Sequence, residues 1–240
     1  MKKFFIYSLL AILIFNSSCN WMGKKLRGDG NIKTEKRVAG SFNGIEVSGS
    51  FDIYIRQDSF QAIIVEADQN LMEHIVVQDE NGTLRIRPER GYNLRPTRRI
   101  KIYVSGNDFS SLSGSGACNI YGENKIVCKD KLSLDGSGAC DFKLDVNAPR
   151  VSADLSGACD VNLSGETRDF IVEGSGKTDI KCFNLMAETV KVDISGAGDA
   201  EVFASVKLDV DVSGAGSVRY KGNAVVTKDI SGAGSVKKIE

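Results

Sequence analysis

Apolar and polar residues alternate along most of the chain, and this pattern predicts short β-strands. In VSADL (151–155), VKVDI (190–194) and LDVDV (208–212), every second residue is apolar. Period-two alternation is typical of a strand with one buried face, whereas an amphipathic helix repeats every 3.6 residues. No repeat holds a ten-residue stretch with the helical period. The chain is therefore predicted to be all-β.

A five-residue motif that begins Ser-Gly divides the alternating segments into repeats. Its aligned copies are SGACN (115–119), SGACD (137–141), SGACD (156–160), SGKTD (175–179), SGAGD (195–199), SGAGS (213–217) and SGAGS (231–235). An eighth copy, SGSFD, occupies 48–52. A period near 20 residues is typical of a solenoid. We therefore predict a parallel β-helix with coils of about 18–22 residues, irregular over 38–112 and regular over 113–240.

The motif itself is interpreted as a corner of each coil. Glycine reaches φ > 0 without a Cβ clash, and the small residues beside it let the backbone bend tightly. Stacked coils lie about 4.8 Å apart, so equivalent positions form columns. The predicted corner glycines are Gly116, Gly138, Gly157, Gly176, Gly196, Gly214 and Gly232.

The cysteine column of the motif invites a catalytic or metal-binding interpretation. Cys118, Cys140 and Cys159 fall one per repeat, and the single histidine, His74, lies elsewhere in the chain. A zinc site usually needs four convergent ligands, which this spacing does not supply. We predict a buried ladder of free thiols, with a disulfide between neighbouring coils as the alternative. No metal and no cofactor are expected.

The last position of the motif forms an acidic column, which raises the question of calcium. Stacked carboxylates repel one another unless they are solvated or bridged by a cation. The period differs from the nine-residue repeat of calcium-binding β-rolls, so a solvated polar edge is preferred. The column consists of Asn119, Asp141, Asp160, Asp179 and Asp199, followed by Ser217 and Ser235.

The N-terminus carries an export signal. A basic start is followed by the apolar run FFIYSLLAILIF (4–15), which is too short to span a bilayer as a helix. The sequence NSSC then resembles a bacterial lipobox. We predict a signal peptide over 1–18, lipidation of Cys19 and a flexible tether over 19–37, which would attach the chain to a bacterial envelope membrane. Secretion with an incidental cysteine is the alternative.

Composition limits the classes of partner. The chain has 240 residues, 42% hydrophobic and 26% charged, which suits one or two soluble domains, and 38–240 is interpreted as a single one. Without residues 1–18, which hold Lys2 and Lys3, it carries 29 basic and 31 acidic side chains, a net charge of −2. This balance gives no general attraction for nucleic acid.

A basic segment over 85–101 is the best binding candidate in the sequence. It holds seven basic residues against one acid, Glu89. Arginine forks match carboxylates and phosphates, so an acidic glycan or a lipid phosphate would fit, while solvated edge strands are the alternative. The candidate ligand-binding residues are Arg95, Arg98, Arg99, Lys101 and Tyr103.

The opening FNGIEVSGSFDI (42–53), the Ser-Gly ladder and Cys19 together resemble the head-GIN-domain family, abundant in Bacteroidota and labelled as auto-transporter adhesins. The resemblance covers about residues 38–240. It implies a right-handed β-helix similar to pectin lyase folds, without recognised catalytic residues, and a role in adhesion.

Three functions remain open on this evidence. The preferred one is a non-enzymatic envelope lipoprotein that binds a glycan or another envelope or host surface ligand. The second is a polysaccharide-modifying enzyme, although spacings of 18–22 residues leave no room for long active-site loops. The third is a self-assembling scaffold.

Replacing the predicted lipidated residue tests the N-terminal interpretation. Cys19→Ala should leave an uncleaved or a soluble protein, because no thiol remains to take the lipid. Mass spectrometry and membrane fractionation measure both outcomes. Unchanged mass and unchanged fractionation would contradict lipidation.

Overall fold

Strands make up most of the computed structural model, which describes residues 23–240. The strand content is 74%, so the predicted all-β class is confirmed. One 3-10 helix spans Gln69–His74, and no helix of this part of the chain is long and apolar enough to cross a membrane. The strands are β1 (Lys24–Arg27), β2 (Ile32–Arg37), β3 (Gly44–Gly49), β4 (Phe51–Gln57), β5 (Ala62–Asp68), β6 (Ile75–Glu80), β7 (Thr83–Pro88), β8 (Tyr92–Arg95), β9 (Ile100–Gly106), β10 (Ser111–Gly116), β11 (Asn119–Gly122), β12 (Ile126–Val127), β13 (Lys131–Gly138), β14 (Asp141–Gly196), β15 (Asp199–Gly214), β16 (Ser217–Lys221), β17 (Val225–Gly232) and β18 (Ser235–Lys238).

The predicted right-handed parallel β-helix is wrong. Sixteen strands form one sheet of mixed order, which runs β2-β5-β9-β4-β11-β14-β13-β10-β3-β7-β6 and curls into a nearly closed barrel. Strands β12 and β15 to β18 join it beside β14, and β1 pairs separately with β8. Three pairs, β2–β5, β5–β9 and β6–β7, are antiparallel. The solenoid and pectin-lyase expectations are corrected with it.

The mixed order arises in the part of the chain that lacks the Ser-Gly motif. Strands β6 and β7 are joined by only Asn81 and Gly82, both at positive φ (54° and 79°). A two-residue connection can join antiparallel neighbours only, since a parallel pair needs a long crossover. The Asn-Gly turn therefore closes a hairpin instead of continuing a coil.

The repeats themselves pair in parallel and in register. Strand β10 places Ser115 opposite Ser137 of β13, and β15 places Ser213 opposite Ser231 of β17. The apolar residue that follows each copy of the motif points inward and is buried in every copy from Ile120 to Val218, and the largest core side chains include Phe51, Phe142 and Phe170. Burial of each such side chain contributes about 1.5–3 kcal/mol, so the alternation that marks the repeats also supplies the core.

The seven predicted corner glycines share one backbone conformation, with φ between 94° and 129°. Their close packing leaves no room for a side chain. A Cβ at Gly157 would lie 2.5 Å from the carbonyl oxygen of Gly138, and one at Gly196 would lie 2.6 Å from that of Gly176. Both the dihedral angle and the approach of the neighbouring backbone therefore require glycine.

The region predicted as a flexible tether is ordered from Lys24 onward. Residues 24–27 and 32–37 form β1 and β2, which pair with β8 and β5. The carboxylate of Asp68 accepts hydrogen bonds from the Gly30 N–H (2.8 Å) and from the N–H and hydroxyl of Thr97 (3.0 and 2.7 Å). This buried side chain therefore fastens the N-terminal segment. Cys19 and the signal peptide lie outside the described residues.

Burial and hydrogen bonding act in opposite directions on Asp68. Burial alone would raise the pKa of its carboxyl group, but the hydrogen bonds from Thr97 and Gly30 outweigh burial and lower the pKa below its usual value. The charged form is therefore favoured in the folded protein, as the three donors require.

A pair of alanine substitutions separates the two demands on the corner glycines. Gly157→Ala should lower the free energy of unfolding by clearly more than Gly82→Ala, measured by urea denaturation. Both positions have positive φ, which costs alanine about 1–2 kcal/mol, but a Cβ at Gly82 meets no atom within 4 Å. Equal losses at the two positions would show that the corner packing contributes nothing.

Candidate binding surface

The predicted ligand-binding residues occupy two separate places. Arg95 ends β8, and Arg98 and Arg99 lie in the loop before β9. Lys101 and Tyr103 lie on β9, on the outer side of a strand whose alternate residues are buried. Arg99 reaches the same side of the sheet, because its Nε donates to Asp52, the cross-strand neighbour of Lys101.

Three tyrosines from adjacent strands line the outer wall of the barrel. Tyr103 of β9 lies opposite Tyr54 of β4, and Tyr54 lies opposite Tyr121 of β11. Their ring centroids are 5.1 and 5.3 Å apart, with interplanar angles of 20° and 34°. We call this set the tyrosine row. Stacking holds each ring upright on the sheet, so the half-buried side chains present ring edges and hydroxyl groups to solvent.

A second set of polar side chains runs beside the tyrosine row, two residues earlier on the same strands. Lys101, Asp52 and Asn119 lie opposite one another on β9, β4 and β11, and we call them the charged row. Asp52 accepts hydrogen bonds from Arg99 Nε at 2.7 Å and from Asn119 Nδ2 at 2.8 Å. Lys101 Nζ lies 3.5 Å from a carboxylate oxygen of Glu66. The charges of this surface are thus largely paired.

Two nitrogen atoms of the Arg99 guanidinium group donate hydrogen bonds. Besides Asp52, it donates from Nη2 to the carbonyl oxygen of Ala117 at 3.1 Å. Its side chain is half exposed, whereas that of Asp52 is 11% exposed. Arg99 therefore fixes the loop before β9 against β4 and the β10–β11 corner, and Asp52 compensates its charge.

The electrostatic environment keeps Tyr103 and Tyr121 neutral and Lys101 charged. Burial and the nearby Glu66 raise the pKa of Tyr103, and burial and Asp52 raise the pKa of Tyr121. Glu66 and Tyr103 raise the pKa of Lys101. At neutral pH the surface offers phenolic hydroxyl groups that both donate and accept hydrogen bonds, beside an ammonium group.

The surface sits on a rigid part of the sheet. Each of β9, β4 and β11 pairs with a strand on both sides, in the order β5-β9-β4-β11-β14. Side chains on interior strands keep their spacing, so a ligand that matches the rows pays little ordering cost on the protein side.

Two members of the tyrosine row were missed in the sequence, although the signal was present. Tyr54 follows the serine of the copy at 48–52 by six residues, and Tyr121 follows Ser115 by the same number. Aligning the eighth copy with the first therefore places these rings side by side. Tyr103 lies outside any copy of the motif, so its contact with Tyr54 depends on a strand pairing that the repeat does not specify.

The cysteine ladder lies inside the barrel, away from this surface. Cys118, Cys140 and Cys159 are fully buried and free, which confirms their predicted burial as thiols, and the first two sulfur atoms are 3.1 Å apart. Hydrogen bonding to Cys140 and burial raise the pKa of Cys118 and of Cys159. A protonated thiol in an apolar core packs as a small hydrophobic group.

The acidic column continues along the outer wall from the charged row. Asn119 pairs with Asp141, and Asp179 pairs with Asp199. Burial and the neighbouring Asp160 raise the pKa of Asp141, as expected for stacked carboxylates. Within residues 23–240, no group of three or more histidine, cysteine, aspartate or glutamate side chains is arranged to hold a metal ion.

A rigid sheet wall that exposes aromatic and hydrogen-bonding side chains is typical of binding proteins. The chain belongs to the family described as "Putative auto-transporter adhesin, head GIN domain", whose model matches residues 41–224, so the resemblance noted in the sequence is confirmed. No curated protein matches the chain.

Solved structures share the fold. A crystal structure titled as a putative adhesin from Bacteroides fragilis is 22% identical, covers 89% of this chain and 100% of its own, and has a TM-score of 0.84. One titled as a putative lipid binding protein from Parabacteroides distasonis is 23% identical, covers 90% and 100%, and has a TM-score of 0.69. One titled as a putative adhesin from Parabacteroides merdae is 18% identical, covers 90% and 100%, and has a TM-score of 0.64.

Removing the carboxylate of Asp52 should destabilise the protein by about 1–3 kcal/mol, because Arg99 and Asn119 both lose their acceptor. The matched control is Glu201→Ala, which breaks the more exposed pair with Arg219 (2.7 Å) and should cost less than about 1 kcal/mol. Urea denaturation of Asp52→Ala and of the control gives the comparison. Equal losses would mean that Asp52 does not hold the loop.

Proposed function

We propose that the chain is a non-enzymatic envelope protein that binds a glycan through the tyrosine row and the charged row. The observation that carries the proposal is the line of Tyr103, Tyr54 and Tyr121 on three adjacent interior strands. The family description and the titles of the similar structures name adhesins and a lipid-binding protein, which supports binding in preference to catalysis.

Ring edges beside hydroxyl groups suit a sugar chain. Tyrosine combines an apolar body with a hydrogen-bonding tip, so it contacts the C–H groups and the hydroxyl groups of a sugar together. Restricted to two side-chain torsions and stacked on their neighbours, the rings lose little conformational entropy on binding. Asn119 and Lys101 add an amide and an ammonium group within the same surface.

Pairing of the charges decides which glycan fits. Arg99 is bound to Asp52, and Lys101 lies near Glu66, so the surface carries little net positive charge. The proposed glycan is therefore neutral or carries isolated carboxylates. A densely acidic glycan would be selected only if the four cations were unpaired. Binding should accordingly depend only weakly on salt.

Attachment to a membrane remains part of the proposal. The adhesin family indicates an envelope or surface-associated protein. Lipidation of Cys19 would hold it there, on the periplasmic or the outer-membrane side, with the binding surface displayed by the folded domain that begins near Lys24.

A glycan array probed with the folded chain tests the proposed function. On the glycans that bind, Tyr54→Ser/Tyr103→Ser/Tyr121→Ser should weaken affinity at least tenfold, which corresponds to about 1.4 kcal/mol. The matched control is Lys143→Ser/Asn162→Ser/Lys181→Ser, because these residues occupy the position of Tyr121 in the next three repeats.

Two further results sharpen the test. Tyr54→Phe/Tyr103→Phe/Tyr121→Phe keeps the rings and should retain part of the affinity, which separates ring contacts from hydroxyl contacts. If a glycan binds the serine triple variant with unchanged affinity but binds the control variant more weakly, its site lies elsewhere on the wall.

A further inference from the structure

A small basic sheet lies apart from the barrel wall. Strands β1 and β8 pair in parallel, and the register sets Leu26 opposite Leu94 and Arg27 opposite Arg95. Leu94 packs against the core. By alternation, Arg27 and Arg95 lie on the other face of the two strands, where both are exposed. We call this pair of strands, with the loop residue Arg98, the basic sheet.

Like charges in direct cross-strand register destabilise a sheet unless another charge compensates. None of the basic side chains in this region has an ion-pair partner in the described part of the chain, whereas Arg85, Arg99 and Lys101 each have a carboxylate. The uncompensated residues, all exposed, are Lys24, Lys25, Arg27, Arg90, Arg95 and Arg98.

The acids nearest in sequence are engaged elsewhere. One carboxylate oxygen of Asp29 accepts the Asn31 N–H at 3.0 Å. Glu89 lies 2.6 Å from the ring nitrogen Nδ1 of His74. The region holds six cations against these two acids, so it presents an excess of positive charge.

Hydrogen bonds to their carbonyl oxygens hold the backbone of the two facing arginines in place. The Gly28 N–H donates to the carbonyl oxygen of Arg95 at 2.9 Å, and Asn70 Nδ2 donates to that of Arg27 at 2.8 Å. Asp68 holds Thr97 in the loop next to Arg98. Two arginines held on facing backbone positions suit phosphate, whose oxygens accept two parallel hydrogen bonds from one guanidinium fork.

We propose that the basic sheet binds the phosphate groups of anionic phospholipids at a membrane surface. Its position in the chain favours a membrane. Lys24 follows Cys19 by five residues, which span at most about 18 Å when extended, and the apolar run 4–15 lies just before. If this N-terminal segment is anchored by a lipid or by its apolar run, the basic sheet lies close to the headgroups.

A basic patch has a physical role beside such an attachment. A lipobox cysteine carries several acyl chains, which bind a membrane durably by themselves, so the basic sheet would instead draw the folded domain onto the anionic surface. Each lysine or arginine near an anionic surface contributes about 1 kcal/mol. This interaction is independent of the tyrosine row, so either proposal can fail alone.

Vesicle binding tests the proposal on a chain that begins at Asn20. All strand pairs described above lie within residues 24–238, so this chain keeps the fold and has no lipid or apolar run. It should sediment with vesicles of phosphatidylglycerol and phosphatidylcholine, but not with phosphatidylcholine alone. Binding should disappear at 1 M salt, where the Debye length is about 3 Å.

Variants identify the surface. Arg27→Ser/Arg95→Ser/Arg98→Ser should lower the partition coefficient about 100-fold, from the contribution of three cations. The matched control, Lys228→Ser/Lys237→Ser/Lys238→Ser, makes the same charge change on the C-terminal strands β17 and β18 and should change partitioning less than threefold. The charge-keeping variant Arg27→Lys/Arg95→Lys/Arg98→Lys should retain most of the binding, which separates loss of charge from loss of fold.

Three results would overturn the proposal. The first is equal partitioning into neutral and anionic vesicles. The second is an equal loss in the serine variant and its control. The third is binding of inorganic phosphate in calorimetry by a chain that ignores anionic vesicles, because the site would then serve a free anion.

Discussion

The contact on which the rest of the structure depends is the close backbone approach between successive glycine corners. At five corners the residue after the glycine donates its N–H to the carbonyl oxygen of the previous corner glycine, as from Ala139 to Gly116 (2.7 Å) and from Ala197 to Gly176 (2.8 Å). A Cβ on the intervening corner glycine, Gly138 or Gly196, would lie 2.5 or 2.6 Å from the same acceptor oxygen. The hydrogen bond and the positive φ together fix the register of one repeat on the next.

The alignment of the strands that carry the binding surface depends on that register. Ala117 donates to the carbonyl oxygen of Gly49 at 2.8 Å, so the copy at 48–52 is locked beside the copy at 115–119 although 67 residues separate them. This bond aligns β4 with β11 and places Tyr54 against Tyr121 and Asp52 against Asn119. At the same corner, the carbonyl oxygen of Ala117 accepts a hydrogen bond from Arg99. Corner geometry and surface chemistry are thus parts of one arrangement.

Local patterns in the sequence predicted those features that a repeat determines. The alternation predicted the strands, the aligned motif predicted the register of Ser115 on Ser137, and the cysteine column predicted buried thiols. The overall path of the sheet depends on the non-repeating residues 38–112. There the Asn81-Gly82 hairpin and the antiparallel contacts of β5 give a nearly closed barrel of mixed order, which no pattern of period 20 encodes.

Charge pairing was the other feature that the sequence did not predict. The run of cations at 95–101 looked continuous, but Arg99 meets Asp52 across 47 residues and Lys101 meets Glu66 on a neighbouring strand. Only Arg95 and Arg98 remain unpaired among these four in the described residues, and Arg95 lies opposite Arg27 of β1, a segment predicted to be a tether because it is short, polar and without apolar periodicity. Long-range partners of this kind determine which charges are available to a ligand.

Amide hydrogen exchange at the corners tests the central claim most directly. Ala139, Ala197, Ala215 and Ala233 are exposed residues at sharp turns, where amides in ordinary loops exchange within the dead time of the experiment. If stacked glycine corners fix the register, NMR should show these four amides protected to the same degree as the buried strand amides of Ile120 and Val161. Exchange at the rate of unprotected loop amides would contradict the account.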